Sequence, residues 1–252
     1  MPPLFADIAQ RLPPPAGHTG LLQHLWPARC LLCREPADGA HDLCAACAAV
    51  LPWNRHACPR CAVPLPPADD PTAPASACGR CLRHPPPLQS ARAACRYGFP
   101  LDRLLPRFKF HGDLAAGRLL AQLMAAACGE YERPEAMIAI PLHHARLRSR
   151  GYDQAWELAR PLARALDLPL LRHALIRRRD TAPQSRLDAG QRRGNLRRAF
   201  AVNAGAALPA HVALIDDVMT TGATLHAAAR ALHRAGAMRV DAWVCARVPA
   251  PG

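Results

Sequence analysis

Residues 213–225, Ala-Leu-Ile-Asp-Asp-Val-Met-Thr-Thr-Gly-Ala-Thr-Leu, join an apolar strand to two adjacent carboxylates and a glycine turn that opens a helix. Few folds accommodate that order. A strand ending at Ile215 sets Asp216 and Asp217 at its carboxyl end, where open α/β sheets receive their ligands. The turn through Thr220, Thr221, Gly222, Ala223 and Thr224 then aims free backbone N–H groups and the positive end of a helix dipole at one point, and Gly222 lets a phosphate approach with no Cβ in its way. Carboxylates so near a phosphate repel it, so their fitting task is to accept hydrogen bonds from the vicinal hydroxyls of a pentose. The stretch therefore suits both ends of a ribose 5-phosphate. A nucleoside triphosphate loop fits poorly, since Ala223 follows the glycine where Lys would be needed, and no dinucleotide Gly-x-Gly-x-x-Gly occurs.

Upstream, four Cys-x-x-Cys units follow one another: Cys30/Cys33, Cys44/Cys47, Cys58/Cys61 and Cys78/Cys81. Each places two thiolates on one side of a tight knuckle, and two knuckles complete the four-sulfur tetrahedron of structural zinc, so the eight ligands predict two Zn2+ ions. Sequence order favours Cys30, Cys33, Cys44 and Cys47 around one ion and Cys58, Cys61, Cys78 and Cys81 around the other; interleaved pairing is the alternative. Disulfides would need an oxidising compartment, and redox Cys-x-x-Cys motifs do not usually come four in a row. Sulfur fills all four positions of each site, which leaves no open position for catalysis. Cys95, Cys128 and Cys245 stand apart and read as small buried apolar residues.

Eight of the eleven cysteines lie in the first ninety residues, and helical and strand-like patterns alternate in the rest. We expect a cysteine-rich module over 26–90 and a second domain over 91–252. In the latter, Ala93–Phe99 reads as a strand, Leu101–Phe110 as a short helix interrupted at Pro106, and Asp113–Glu130 as a firmer helix. Ala136–Ile140 reads as a strand, Ile140–Gln154 as a basic loop, Asp153–Leu166 as an amphipathic helix and Leu170–Ile176 as a strand. Val212–Ile215 precedes the acidic pair, Ala223–Ala235 forms a helix capped by Gly236, and Arg239–Ala246 closes the sheet. Such alternation implies a mainly parallel sheet with helices on both faces.

The formal net charge is +13, and Lys109 is the only lysine, so the basic character is arginine. Arginine forks phosphates bidentately and stacks on bases, which points to polyanions. Between Leu171 and Phe200 nine arginines face two aspartates. The basic loop delivers Arg146, Arg148 and Arg150 beside His143 and His144, of which at most one should face a site because adjacent side chains diverge. The opening residues lack a secretion-signal pattern, and the longest apolar run, Leu119–Cys128, is interrupted by Gln122 and too short to span a membrane. A cytoplasmic protein is expected.

The 213–225 stretch resembles the 5-phosphoribosyl-1-pyrophosphate (PRPP) loop of type I phosphoribosyltransferases, in which two acidic residues hold the ribose and the Thr/Gly turn holds the 5-phosphate. From Cys30 onward the chain resembles the ComF competence family. Its marks are the four cysteine pairs, Phe108-Lys109-Phe110-His111-Gly112, Arg150-Gly151-Tyr152-Asp153-Gln154, Thr181 with Gln184, then Arg192, Asn195 and Phe200. Tyr152 and Asp153 depart from the family's usual Phe and Asn. The resemblance implies a phosphoribosyltransferase-like domain behind a double zinc ribbon. It also implies a role in DNA uptake, with single-stranded DNA and helicase-like and DNA-processing competence proteins as partners. Expected pyrophosphate or DNA contacts are Lys109, Arg146, Arg148, Arg150, Gln154, Arg177, Arg178, Gln184 and Arg192, with Mg2+ accompanying PRPP if that ligand binds. Where purine phosphoribosyltransferases carry a third acidic residue as proton acceptor this chain has Thr220, so binding is favoured over turnover. A transferase with a nitrogen acceptor and a ligand-free scaffold are the alternatives.

Overall fold

The computed structural model describes residues 29–37, 42–67, 76–129, 132–178 and 199–249. In the cysteine-rich part, short helices α1 (Ala45–Ala49) and α2 (Gly79–Arg83) each begin just after a cysteine, Cys44 and Cys78. The α/β part follows as β1 (Ser90–Arg96), α3 (Leu101–His111), α4 (Leu114–Cys128), β2 (Ala136–Ala139), α5 (His144–Arg150) and α6 (Gln154–Leu166). It continues with β3 (Leu175–Arg177), β4 (Phe200–Val202), β5 (His211–Met219), α7 (Ala223–Arg234) and β6 (Arg239–Arg247).

β1, β6, β5 and β2 form one sheet in that order, every pairing parallel, and β3 and β4 make a separate antiparallel pair. Side-chain alternation sorts the sheet into two faces. Ala213, Ile215, Trp243 and Cys245 join a core with α3, α4 and α6, whereas Val212, Leu214, Val240, Ala242 and Val244 join a second core with α7. This is the α/β architecture that the alternating pattern implies. The cysteine-rich part extends both cores: Cys30, Leu43, Ala48 and Leu51 belong to the first and Ala62 to the second.

Several elements differ from expectation, and β1 covers Ser90–Arg96 where Ala93–Phe99 is expected. α3 runs through Pro106 without a break. A proline inside a helix costs about 3 kcal/mol, but Leu101, Leu104, Leu105 and Phe108 are buried along α3, and each such side chain contributes roughly 1.5–3 kcal/mol. α4 then sits tight against it, because a Cβ on Gly117 would lie 2.5 Å from the Phe108 ring. The 140–154 stretch contains α5, seven residues capped by His143, whose Nδ1 accepts from Ala145 N–H. Of the expected 170–176 strand only Leu175 and Ile176 fall in a strand, which runs on to Arg177; Leu170 makes a single bridge to Met137. α7 is capped by Ala235, with Gly236 one residue further at a φ of 103°. Glu130 lies outside the described residues.

Candidate functional site: an acidic pair in a basic cleft

The strand carrying the acidic pair does not stop at Ile215. β6 offers nine residues of backbone, so β5 stays paired through Asp216↔Val244, Val218↔Ala246 and Met219↔Arg247. β2, by contrast, ends opposite Ile215. Beyond that point β5 has a partner on one side only, and a cleft of about 640 Å³ opens along the uncovered edge. Asp216 and Asp217 line it, within the strand rather than after it, together with Lys109, Arg146, Arg150, Gln154, Arg177, Thr220 and Thr224. The fold thus gathers residues from five separate segments around one pair of carboxylates.

Asp217 is 5% exposed, and Lys109 Nζ sits 2.7 Å from its carboxylate. Asp216 Oδ1 accepts from the backbone N–H of Asp217 at 2.9 Å. Burial and then the neighbouring Asp217 charge push the Asp216 carboxyl up to about 7, against the opposing pull of Lys109 and Arg177. Lys109 is held in place by its own backbone. The Gln154 side-chain amide donates to the Lys109 carbonyl at 3.3 Å, and the Tyr152 hydroxyl donates to the Phe108 carbonyl. Segments 108–112 and 150–154, far apart in sequence, therefore form one wall of the cleft.

Asp153 has a task of its own. It caps α6 by accepting from Trp156 N–H at 3.3 Å, and its other oxygen accepts from Leu142 N–H at 3.2 Å. Asparagine and aspartate are both good helix caps, which explains why the departure from Asn is tolerated. The rings of His143 and His144 do not diverge: their centroids are 3.9 Å apart, and His143 is buried. Arg148 and Arg178 are exposed and do not line the cleft. Gln184 and Arg192, with Thr181 and Asn195, lie outside the described residues.

In the turn, Thr221 is exposed and its hydroxyl accepts from Ala223 N–H at 3.3 Å; neither these two nor Gly222 lines the cleft. Gly222 is required by its own neighbours. It has a φ of 79°, and a Cβ there would meet Met219 Cε at 2.6 Å and His226 Nε2 at 3.0 Å. Sequence reasoning missed Arg247, which is 6% exposed at the end of β6. Its Nη1 donates to the carbonyls of Met219 (3.1 Å), Thr220 and Val248, while its Nε donates to the Cys61 carbonyl at 2.9 Å. One guanidinium thereby joins a cysteine knuckle to the turn beside the cleft. Nothing in the sequence marks it among so many arginines.

The cysteines gather in sequence order. Cys30, Cys33, Cys44 and Cys47 form one cluster and Cys58, Cys61, Cys78 and Cys81 the other, the sulfurs of each lying within 4.8 Å of one another. A zinc–sulfur bond of about 2.3 Å in a tetrahedron requires sulfurs roughly 3.8 Å apart. Cys33 Sγ–Cys44 Sγ is 3.6 Å and Cys61 Sγ–Cys78 Sγ is 3.7 Å, so both clusters fit the ion. Backbone N–H groups point at the sulfurs as well, Cys78 N to Cys58 Sγ at 3.2 Å and Cys47 N to Cys44 Sγ at 3.5 Å. When bound, zinc supplies cross-linking and no reactive position. Cys95, Cys128 and Cys245 are buried and free of disulfides. Among the described residues no helix is long and apolar enough to cross a membrane.

Residues 21–82 match the double zinc ribbon domain family. The DNA utilization protein YhgH of Salmonella typhimurium is 36% identical over 231 residues, which cover 88% of this chain and 97% of that protein. Competence protein F of Haemophilus influenzae is 38% identical over 178 residues, covering 68% and 78%. Competence protein ComFC of Streptococcus pneumoniae is 28% identical over 158 residues, covering 63% and 68%.

Proposed function

The chain belongs to the ComF competence family, and from that premise we propose that it handles single-stranded DNA and holds PRPP or a related phosphorylated pentose in the cleft at the end of β5. Its context is competence and DNA utilization, with helicase-like and DNA-processing proteins as the partners of such a role in the cytoplasm. We keep the division near residue 90, with a zinc ribbon module before it and a phosphoribosyltransferase-like domain after it. The observation that carries the reading is the ring of Lys109, Arg146, Arg150 and Arg177 around Asp216 and Asp217 in one cleft. Cations of that density suit phosphates, and carboxylates at the floor suit hydroxyls. Lys109 neutralises Asp217 in the free protein, which lowers the repulsion an arriving phosphate meets.

The experiment is a titration of PRPP with and without magnesium, beside single-stranded DNA binding across a salt series. Phosphate neutralisation predicts a steep fall of DNA affinity with salt. Arg177→Ala with Arg178→Ala should flatten that slope; binding indifferent to salt would refute the DNA half of the proposal. Asp216→Ala with Asp217→Ala should abolish PRPP binding.

A transferase acting on a nitrogen nucleophile is the second reading, and one observation favours it. A carboxyl raised to about 7 is suited to exchanging a proton near neutral pH. Pyrophosphate release from Mg-PRPP in the presence of ammonia, amines or nucleobases decides for it; its absence with PRPP bound decides for binding alone.

A further inference from the structure

Among the described residues three aromatic rings are at least 36% exposed, Tyr97 (36%), Phe99 (67%) and Phe110 (66%); the other six are buried or half-buried. All three belong to the fourteen residues 97–110. Tyr97 and Phe110 line the cleft. Isolated exposed apolar residues need no explanation, but rings gathered beside an anion-binding cleft do. Arg103 Cζ lies 5.5 Å from the Phe99 ring centre and Arg150 Cζ 5.2 Å from that of Phe110, so both phenylalanine rings have a guanidinium for a neighbour.

The rings also stand on fixed backbone. Tyr97 N–H donates to the Arg247 carbonyl at 2.8 Å, and Phe110 rides on the last turn of α3, where the Gln154 and Tyr152 side chains hold the Lys109 and Phe108 carbonyls. Charge identifies what such an edge receives. From residue 96 to 110 the basic side chains are Arg96, Arg103, Arg107 and Lys109 against Asp102, with Arg107 paired to Asp113 and Lys109 to Asp217. An acidic protein surface would match the charge alone, whereas a nucleotide strand offers both flat π faces at every base and a negative charge at every link.

We propose that Tyr97, Phe99 and Phe110 form a stacking edge for the bases of single-stranded DNA whose backbone runs past the cleft. A nucleotide consists of phosphate, pentose and base. The cleft provides for the first two, and the aromatic edge provides for the third. Stacking of this kind is indifferent to sequence, because every base has a π face. The inference rests on the single-stranded DNA reading above.

The test uses the zinc-loaded full chain, a fluorescent oligothymidylate, and an abasic oligonucleotide of equal length and charge. The unaltered protein should bind oligothymidylate more tightly than the abasic strand. Phe99→Ala with Phe110→Ala should lower oligothymidylate affinity by about ten-fold or more while moving abasic affinity less than about two-fold, erasing the preference. Phe99→Trp with Phe110→Trp should restore it. Zinc content and thermal midpoint should match the unaltered protein, since both rings are exposed; Phe99→Ala alone provides the same comparison should the double variant fail to fold. Equal binding of the two strands by the unaltered protein overturns the stacking edge alone. So does equal loss for both strands in the variant, or loss of a protein partner with DNA binding intact. Binding of neither strand by the unaltered protein overturns the DNA reading itself.

Discussion

The two cysteine clusters have the same ligand set and lean on different parts of the molecule. The first is attached to the helical layer: Asp42 receives Arg118 of α4 at 2.7 and 2.8 Å, Arg107 of α3 reaches the Leu31 carbonyl at 3.4 Å, and Cys30, Leu43 and Ala48 share the core of α3, α4 and α6. The second is attached to the sheet edge and the cleft: Ala91 N–H donates to Pro59, and Arg247 ties the Cys61 carbonyl to Met219 and Thr220. A structural metal's influence on function is thus set by what its knuckle carbonyls hold, and identical coordination does not imply identical roles. The first cluster should act on stability, and the second on both stability and ligand affinity.

Breaking each cluster gives the largest contrast. Zinc binding in small ribbons and fingers is worth about 10–16 kcal/mol, so Cys30→Ser with Cys33→Ser, or Cys58→Ser with Cys61→Ser, should each lose one zinc and a large part of the stability. Only the second pair should also weaken PRPP by more than about ten-fold. Zinc content, thermal denaturation and calorimetry check this, and equal effects on PRPP would remove the asymmetry.

A cleaner cut leaves both metals in place. Arg247→Met strips the donor from the buried Met219 carbonyl and from the partly exposed carbonyls of Thr220 and Cys61, at a cost of about 1–3 kcal/mol. Denaturant midpoints should show that loss, PRPP affinity should fall, and zinc content should remain at two ions.

Asp216 sharpens the cleft side of the comparison through pH. Its folded pKa lies above the unfolded value, so the folded chain binds the extra proton between pH 3.8 and about 7. Its contribution is therefore full below 3.8 and is lost as pH rises through 7. Asp216→Asn should remove that slope and raise stability at pH 8 relative to the unaltered protein, while PRPP binding falls. Urea midpoints measured across pH report the difference, and an unchanged slope in the variant would contradict the assignment.

The smallest effect concerns Asp153. Because its work is to cap α6 and hold Leu142 N–H, Asp153→Asn should shift stability by less than about 0.5 kcal/mol and Asp153→Ala should cost about 1 kcal/mol. Thermal melts of the two variants provide the check.

Much of this architecture was legible because its signals are local. Cysteine spacing forms knuckles within four residues, the β5–α7 turn carries its glycine and acids in one stretch, and Asp113 and Asp153 stand where helices need caps. What escaped depends on partners far along the chain. The extension of β5 to Met219 requires β6 beside it, and the end of β2 opposite Ile215 is visible only once the strands are in register. α5 has no buried residue, so no apolar period marks it. Arg247 and the exposed rings acquire their meaning from position alone.

Lys109 is the only side-chain amine in 252 residues, and it points into the cleft against Asp217. Apart from the α-amino group, amine-selective chemistry would therefore attach a dye or cross-linker at one side chain, beside the carboxylates, with no engineering of the sequence. Its labelling rate would become a meter of occupancy, since any ligand that shields or releases that nitrogen must change how quickly it reacts.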